Sequence, residues 1–135
     1  IIKKEALEDR VLFLGRKNTT EVYNIMHHAS AFLMLSKFEE FGFTTAEAMF
    51  NHCLVIGRNT AGSKEQFDNG QSFSVIQIGL RVNNVKDIIE AMKWGSQPCH
   101  SEEINKMKTS AIKTVEHFYT YQKYSRSISR IYENI

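Results

Sequence analysis

The chain has 135 residues, 42% hydrophobic and 24% charged, with 17 Lys and Arg against 15 Asp and Glu, a formal charge of +2. That suffices for one ordinary core and excludes a disordered segment, and no apolar run approaches the ~20 residues that span a bilayer. So slight a positive balance does not indicate nucleic acid, and no RNP-like, zinc-finger or KH-like pattern supports that partner.

In chain order, Ile1 to Glu8 carry neither an apolar leader nor a cleavage site. They read as the end of a helix already under way, as in a chain that starts inside a larger sequence. Val11-Leu12-Phe13-Leu14, stopped by Gly15, predicts a strand buried on both faces. Asn18-Thr19-Thr20-Glu21 then offers helix-starting residues, and Val22, Ile25, Met26 and Ala29 follow at helical spacing. His27 and His28, near the end of that helix, read as polar surface or dipole partners rather than ligands.

Ala31 to Leu35 is a second apolar run, and Ser36 to Gly42 a polar loop that leads into a helix-forming segment of Ala, Glu and Met. Leu54-Val55-Ile56 predicts a third strand, introduced by Cys53 and ending at Gly57. Cys53 and Cys99 belong to no CxxC pair; Cys53 reads as a small buried hydrophobe, and a reducing, cytoplasmic compartment follows. Ser63 to Phe67 predicts one or two helical turns closed by Asp68-Asn69-Gly70, and Phe73 to Ile76 a fourth strand. Asn83-Asn84 caps a helix through Val85, Ile88, Ile89 and Met92, with Gly95 just past its end.

After Pro98 a long helix opens at Ser101-Glu102-Glu103, with Ile104, Met107, Ala111, Ile112, Val115 and Phe118 on one side. Beyond a bend near Tyr119-Thr120 the stripe continues through Tyr121, Tyr124, Ile128, Ile131, Tyr132 and Ile135. Such a stripe is ordinarily core packing. Strand–helix alternation with buried runs predicts an α/β fold, a Rossmann-like parallel sheet with helices on both faces. We expect a single domain over 1–135, with the α/β core in 1–98 and C-terminal helices in 101–135.

The stretch Ser36 to Met49 carries most of the chemistry. Glu39 and Glu47 stand eight positions apart across a strand–loop–glycine–helix junction. Unpaired N–H groups and the positive end of the helix dipole suit such a junction to an anion. Carboxylates beside it suit a ligand that also bears hydroxyls, since a carboxylate only accepts hydrogen bonds. A sugar nucleotide has both. The plainer alternative is a capping box, with Thr44 as N-cap and Glu47 reaching back to its N–H.

In parallel sheets ligands gather at the carboxyl ends of strands. Three such ends are marked here, at Gly15-Arg16-Lys17, Ser36 to Thr45 and Gly57 to Glu65, bringing basic Arg16, Lys17, Arg58 and Lys64 with acidic Glu39, Glu47 and Glu65. No GxGxxG, GxxxxGKS/T, GxSxG or metal-spaced cluster is present.

Phe13-Leu14-Gly15, Glu21, Ala29 to Phe32, Glu39-x-Phe41-Gly42-Phe43-x-x-x-Glu47-Ala48-Met49, Val55-Ile56, Ala61-Gly62-x-x-Glu65 and Asn69-Gly70 follow in order. This series resembles the donor domain of GT-B glycosyltransferases, in the large retaining family with an E-x7-E motif. The resemblance covers roughly residues 10 to 75 and implies a role for each matched position. Glu47 would accept from the ribose hydroxyls of a UDP- or GDP-sugar, and Glu39 would contact the transferred sugar in the catalytic centre. Backbone N–H groups of Gly42, Phe43 and Thr44 would meet sugar and diphosphate. Ala61, Gly62 and Glu65 would lie close to the donor. Arg58 and Lys64 are candidate phosphate contacts, and such enzymes work without a bound metal or other cofactor.

Departures are His52 and Leu54 where Gly and Pro are usual, Ala61 for Gly, and Lys64 for a frequent Pro. The family's basic phosphate pair and its acceptor domain lie upstream of the matched stretch, so the isolated chain should be inactive. The parent would use an acceptor glycan or lipid-linked glycan in polysaccharide or glycoconjugate assembly. The parent could rest on the inner face of a membrane through the basic face of Lys123, Arg126 and Arg130, while the chain alone is expected to self-associate through the apolar stripe from Tyr121 to Ile135 or to hold its last helix loosely. Two other classes stay open: a non-catalytic Rossmann-like nucleotide-binding module, and a protein-interaction module.

Overall fold

The computed structural model describes residues 3–74, 77–123, 125–126 and 129. The first helix, α1 (Thr19–His28), begins where Asn18 and Glu21 cap each other: Asn18 Oδ1 accepts from Glu21 N, and the Glu21 carboxylate accepts from Asn18 N, both at 3.0 Å. Next come β1 (Ala31–Met34), α2 (Phe43–Phe50), β2 (Leu54–Arg58), α3 (Ala61–Phe73), β3 (Leu80–Val82) and α4 (Val85–Gly95). A short 3-10 turn over Pro98–His100 leads into α5 (Ser101–Phe118).

The strands form one parallel sheet in the order β1-β2-β3, with Phe32 opposite Val55 and Ile56 opposite Leu80. Helices cover both sides, as expected of strands whose runs are apolar throughout: Leu54, Val55, Ile56 and Gly57 are all buried. Adjacent strand residues face opposite ways, so β2 serves two clusters. Val55 packs with Met26, Ala48, Met49, Cys53, Phe67, Ala111 and Val115, while Leu54 packs with Ile104 and Met107 and against Trp94. α5 contributes to both clusters, and it contacts α2 and α3. Cys53 is 1% exposed, and its thiol donates to the Met26 carbonyl at 2.7 Å. The preceding His52 turns into β2 with φ +62°, the left-handed region that favours glycine.

Several expectations change. Val11 to Leu14 forms no strand, and Leu12 and Phe13 are 79% and 81% exposed. A strand needs a neighbour to supply its ladder, and among the described residues β1 pairs only with β2. Residues 3–10 form turns instead of a helix end, interrupted at Ala6 with φ +50°. Asp68-Asn69-Gly70 closes no helix: α3 runs through it to Phe73. Packing overrides the turn chemistry, because buried Gly70 lies against Ile78. Phe73 therefore ends a helix, while Val75 and Ile76, the rest of the expected fourth strand, lie outside the described residues. The strand that completes the sheet is Leu80–Val82, too short for its pattern to be read. Gly95 is the last residue of α4, and Ser96 is the C-cap.

The bend after α5 falls at Tyr119-Thr120, as expected. On α5 the buried side holds Ile104, Met107, Ala111 and Val115 as expected, with Ser110 and Thr114 beside them, while Ile112 and Phe118 are only half-buried; Thr114 Oγ1 donates back to the Ser110 carbonyl at 2.9 Å. Tyr121 is exposed; Tyr124, Ile128, Ile131, Tyr132 and Ile135 lie outside the described residues. No described helix is long and apolar enough to cross a membrane.

Candidate functional site

The site is built where β1 hands over to α2. The N-cap of α2 is Gly42, with φ 77° and ψ 52°. That left-handed turn suits a residue without Cβ, and it admits the chain to the helix two residues earlier than a Thr44 cap would. Thr44 is therefore inside the first turn, and the capping box does not form. Glu47 instead accepts from the Tyr23 hydroxyl of α1 at 3.3 Å. The negative charge of Glu47, then burial, then that hydrogen bond push the Tyr23 phenol above its ordinary range. Phe43 and Thr44 are exposed, and their N–H groups meet no acceptor among the described residues. These are the unpaired donors of a helix start, at the positive end of its dipole.

The loop before α2 is fastened at both ends. Half-buried Glu39 accepts from Gly42 N through Oε1 at 3.1 Å, and its carbonyl accepts from Gly62 N at 3.0 Å. Gly62, in the first turn of α3, abuts the loop so closely that a Cβ would stand 2.4 Å from the Phe41 carbonyl carbon. One turn further along α3, the buried Gln66 amide donates to the carbonyls of Phe41 and Gly42, at 2.6 and 3.1 Å. The first turn of α3 is itself held by Ser63, whose hydroxyl accepts from Thr60 N at 3.1 Å and donates to the Arg58 carbonyl.

Glu39, Gly42 and Gly62 thus meet directly, while Phe43 and Glu65 share a cavity of about 590 Å³ with Phe41, Tyr119 and Tyr121. The Phe41 ring lies 4.7 Å from Phe43 and 5.2 Å from Tyr119, and Tyr119 receives a bond from Asn69 at 2.8 Å. Burial pushes the Tyr119 phenol upward; the Asn69 bond opposes this, and the Glu65 charge adds to it. Ala61 opens α3 and is exposed, as is Lys64. Arg58 is half-buried and lines a different cavity, of about 270 Å³, with Leu35, Val82, Asn83 and Val85. Neither cation makes a described ion pair with the loop. His27 and His28 are exposed at the end of α1, with His28 Nδ1 2.8 Å from the Asn24 carbonyl. Among the described residues no three His, Cys, Asp or Glu side chains converge as a metal site would need.

Tyr23 and Gln66 were not anticipated. Tyr23 left no local signal. Gln66 left a faint one, a polar residue in register with the buried positions Gly62, Ser63, Phe67 and Gly70 of α3.

A parallel α/β sheet with a glycine-entered helix at the carboxyl end of a strand is a Rossmann-like arrangement. The profile of the family described as Glycosyl transferases group 1 matches residues 1–114, and the chain belongs to that family. Over 93 residues it is 29% identical to the N-acetyl-alpha-D-glucosaminyl L-malate synthase of Bacillus anthracis, a match covering 69% of this chain and 24% of that enzyme. It superposes on the sucrose-phosphate synthase of Thermosynechococcus elongatus with a TM-score of 0.82. That likeness spans 98% of this chain and 32% of the other at 17% identity, and it establishes the fold. The chain therefore spans about a quarter of the first relative and a third of the second.

Proposed function

We propose that this chain is the donor-binding part of a retaining glycosyltransferase. The parent moves a hexose-type sugar from a UDP- or GDP-sugar to a hydroxyl of a glycan or lipid-linked glycan, in polysaccharide or glycoconjugate assembly at the cytoplasmic side. The observation that carries this is the fastened Glu39–Gly42 loop, which opens onto the unpaired N–H groups of Phe43 and Thr44 with Glu47 one turn further on. N–H groups at a helix start favour a diphosphate, and carboxylates on either side favour hydroxyls.

In this assignment Glu47 takes the ribose hydroxyls, Glu39 the hydroxyls of the transferred sugar, and Phe43 and Thr44 the sugar and diphosphate through their N–H groups, with Gly42, its own N–H held by Glu39, letting the backbone come close. Ala61, Gly62 and Glu65 border the donor. Lys64, exposed on the first turn of α3, is the nearer candidate cation for the diphosphate, Arg58 lining a separate cavity, and no metal is called for, because positive protein groups stabilise the departing charge. Calorimetric titration of UDP, GDP and ADP into the intact protein tests the proposal. UDP or GDP should bind and Glu47→Gln should weaken that binding; no affinity for any nucleoside diphosphate would refute it.

A further inference from the structure

We propose that Gln66 is a positioning residue for the donor loop, setting the direction of the backbone N–H groups that meet the ligand. The inference rests on assigning the Glu39–Thr44 segment to the donor. Gln66 is fully buried on α3, yet its amide nitrogen reaches two consecutive carbonyls of the loop, Phe41 at 2.6 Å and Gly42 at 3.1 Å.

In a trans peptide the carbonyl and the following N–H point in opposite directions from one rigid plane. Holding the Phe41 carbonyl toward α3 therefore turns the Gly42 N–H away from α3, where Glu39 Oε1 accepts it at 3.1 Å. The Gly42 carbonyl also accepts from Thr45 N at 2.9 Å and Ala46 N at 3.2 Å, and together with Gln66 these bonds turn the Phe43 N–H, unpaired at the start of α2, away from α3. Gln66 thus helps to orient two donors it does not touch: the Gly42 N–H, which Glu39 holds, and the Phe43 N–H, which is left for the ligand.

Stability alone does not call for an amide here. Gln66 Oε1 is buried and has no partner among the described residues, and neither has Thr45 Oγ1, which borders Gly42 from the α2 side. A buried acceptor without a partner is costly, and an apolar side chain of the same shape avoids that cost. What the amide adds is the grip of its nitrogen on the loop.

The test uses the intact protein with three variants. Gln66→Met keeps the shape and removes the amide. It removes the unpartnered Oε1 but also strips the Phe41 carbonyl of its bond, so it should melt near the wild-type temperature while kcat/KM for the nucleotide-sugar falls about tenfold, the scale of one or two lost neutral hydrogen bonds. Gln66→Glu sets a carboxylate against two carbonyls. Its activity relative to wild type should be low at neutral pH and recover on acidification, as the protonated carboxyl becomes a donor again. Glu47→Gln, read by UDP or GDP affinity, reports on the donor assignment itself. If Glu47→Gln weakens nucleotide binding and Gln66→Met keeps wild-type kcat/KM, only the role of Gln66 fails. If Glu47→Gln changes nothing, the donor assignment fails and the inference with it. A Gln66→Met protein that loses its fold, or a Gln66→Glu pH profile parallel to wild type, would make Gln66 structural and overturn the proposal.

Discussion

Replacing Gly62 by alanine puts a methyl group where the backbone of Phe41 already stands. The new carbon would lie 2.4 Å from the Phe41 carbonyl carbon and 2.6 Å from its Cα and N, against 3.4 Å for an ordinary contact. The difference, 3.4 − 2.4 = 1.0 Å, must be absorbed by main chain, since no flexible side-chain end stands in the way. Overpacking of this kind costs about 1–3 kcal/mol. The bond from Gly62 N to the Glu39 carbonyl, 3.0 Å long, is strained by the same shift. Its loss adds about 0.5–1.5 kcal/mol. Alanine returns about 0.5–1 kcal/mol through its better helix propensity. The net is a loss of about 2 kcal/mol, or a melting temperature lower by about 8 °C at ~4 °C per kcal/mol. Circular-dichroism melts of the intact protein measure it, with Gly95→Ala as the control. The carbon added at Gly95 meets only the Leu54 Cδ2 methyl at 3.0 Å, so it should cost far less. A Gly62→Ala protein melting with wild type, or a control equally damaged, would refute the close approach.

Glu47→Ala should weaken nucleotide binding by about 1–3 kcal/mol, the cost of unpairing hydroxyls from a charged acceptor. Calorimetry checks it, and unchanged affinity in a folded variant would remove Glu47 from the ribose. Glu39→Ala should lower turnover more than affinity for free nucleoside diphosphate; equal losses would contradict its place at the transferred sugar. Thiol labelling should separate the cysteines, with exposed Cys99 reacting promptly and Cys53 only on unfolding. Burial pushes the Cys53 thiol upward, with Lys108 opposing. Stability from the neutral thiol is then fully present below the ordinary thiol range and lost as pH rises through the raised folded value. Cys53→Ala should flatten that alkaline decline in thermal melts.

Much of the fold was legible because its signals are local. Asn18 and Asn84 cap with partners three residues away, so α1 and α4 could be read from adjoining letters. The apolar runs at Ala31 and Leu54 pair as parallel strands, the second of them buried, and the spacing of Ile104, Met107, Ala111 and Val115 on α5 matches its buried side. Glu39 and Glu47 also stood out, because a loop and helix between two apolar runs can lie only at a strand's carboxyl end.

What tertiary structure alone decided depends on partners far along the chain. Asn69-Gly70 reads as a turn until Ile78 packs on Gly70, and Thr44 reads as a cap until Gly42 enters the left-handed region. Val11 to Leu14 reads as a strand wherever a neighbouring strand is assumed, and β1 does not supply one. The bonds that shape the site join Tyr23 to Glu47, 24 residues on, and Gln66 to Phe41, 25 residues back. Hydrophobic periodicity places a helix and its buried side, but it does not say which distant carbonyl faces a buried amide. That is settled only when α2 and α3 close on one sheet.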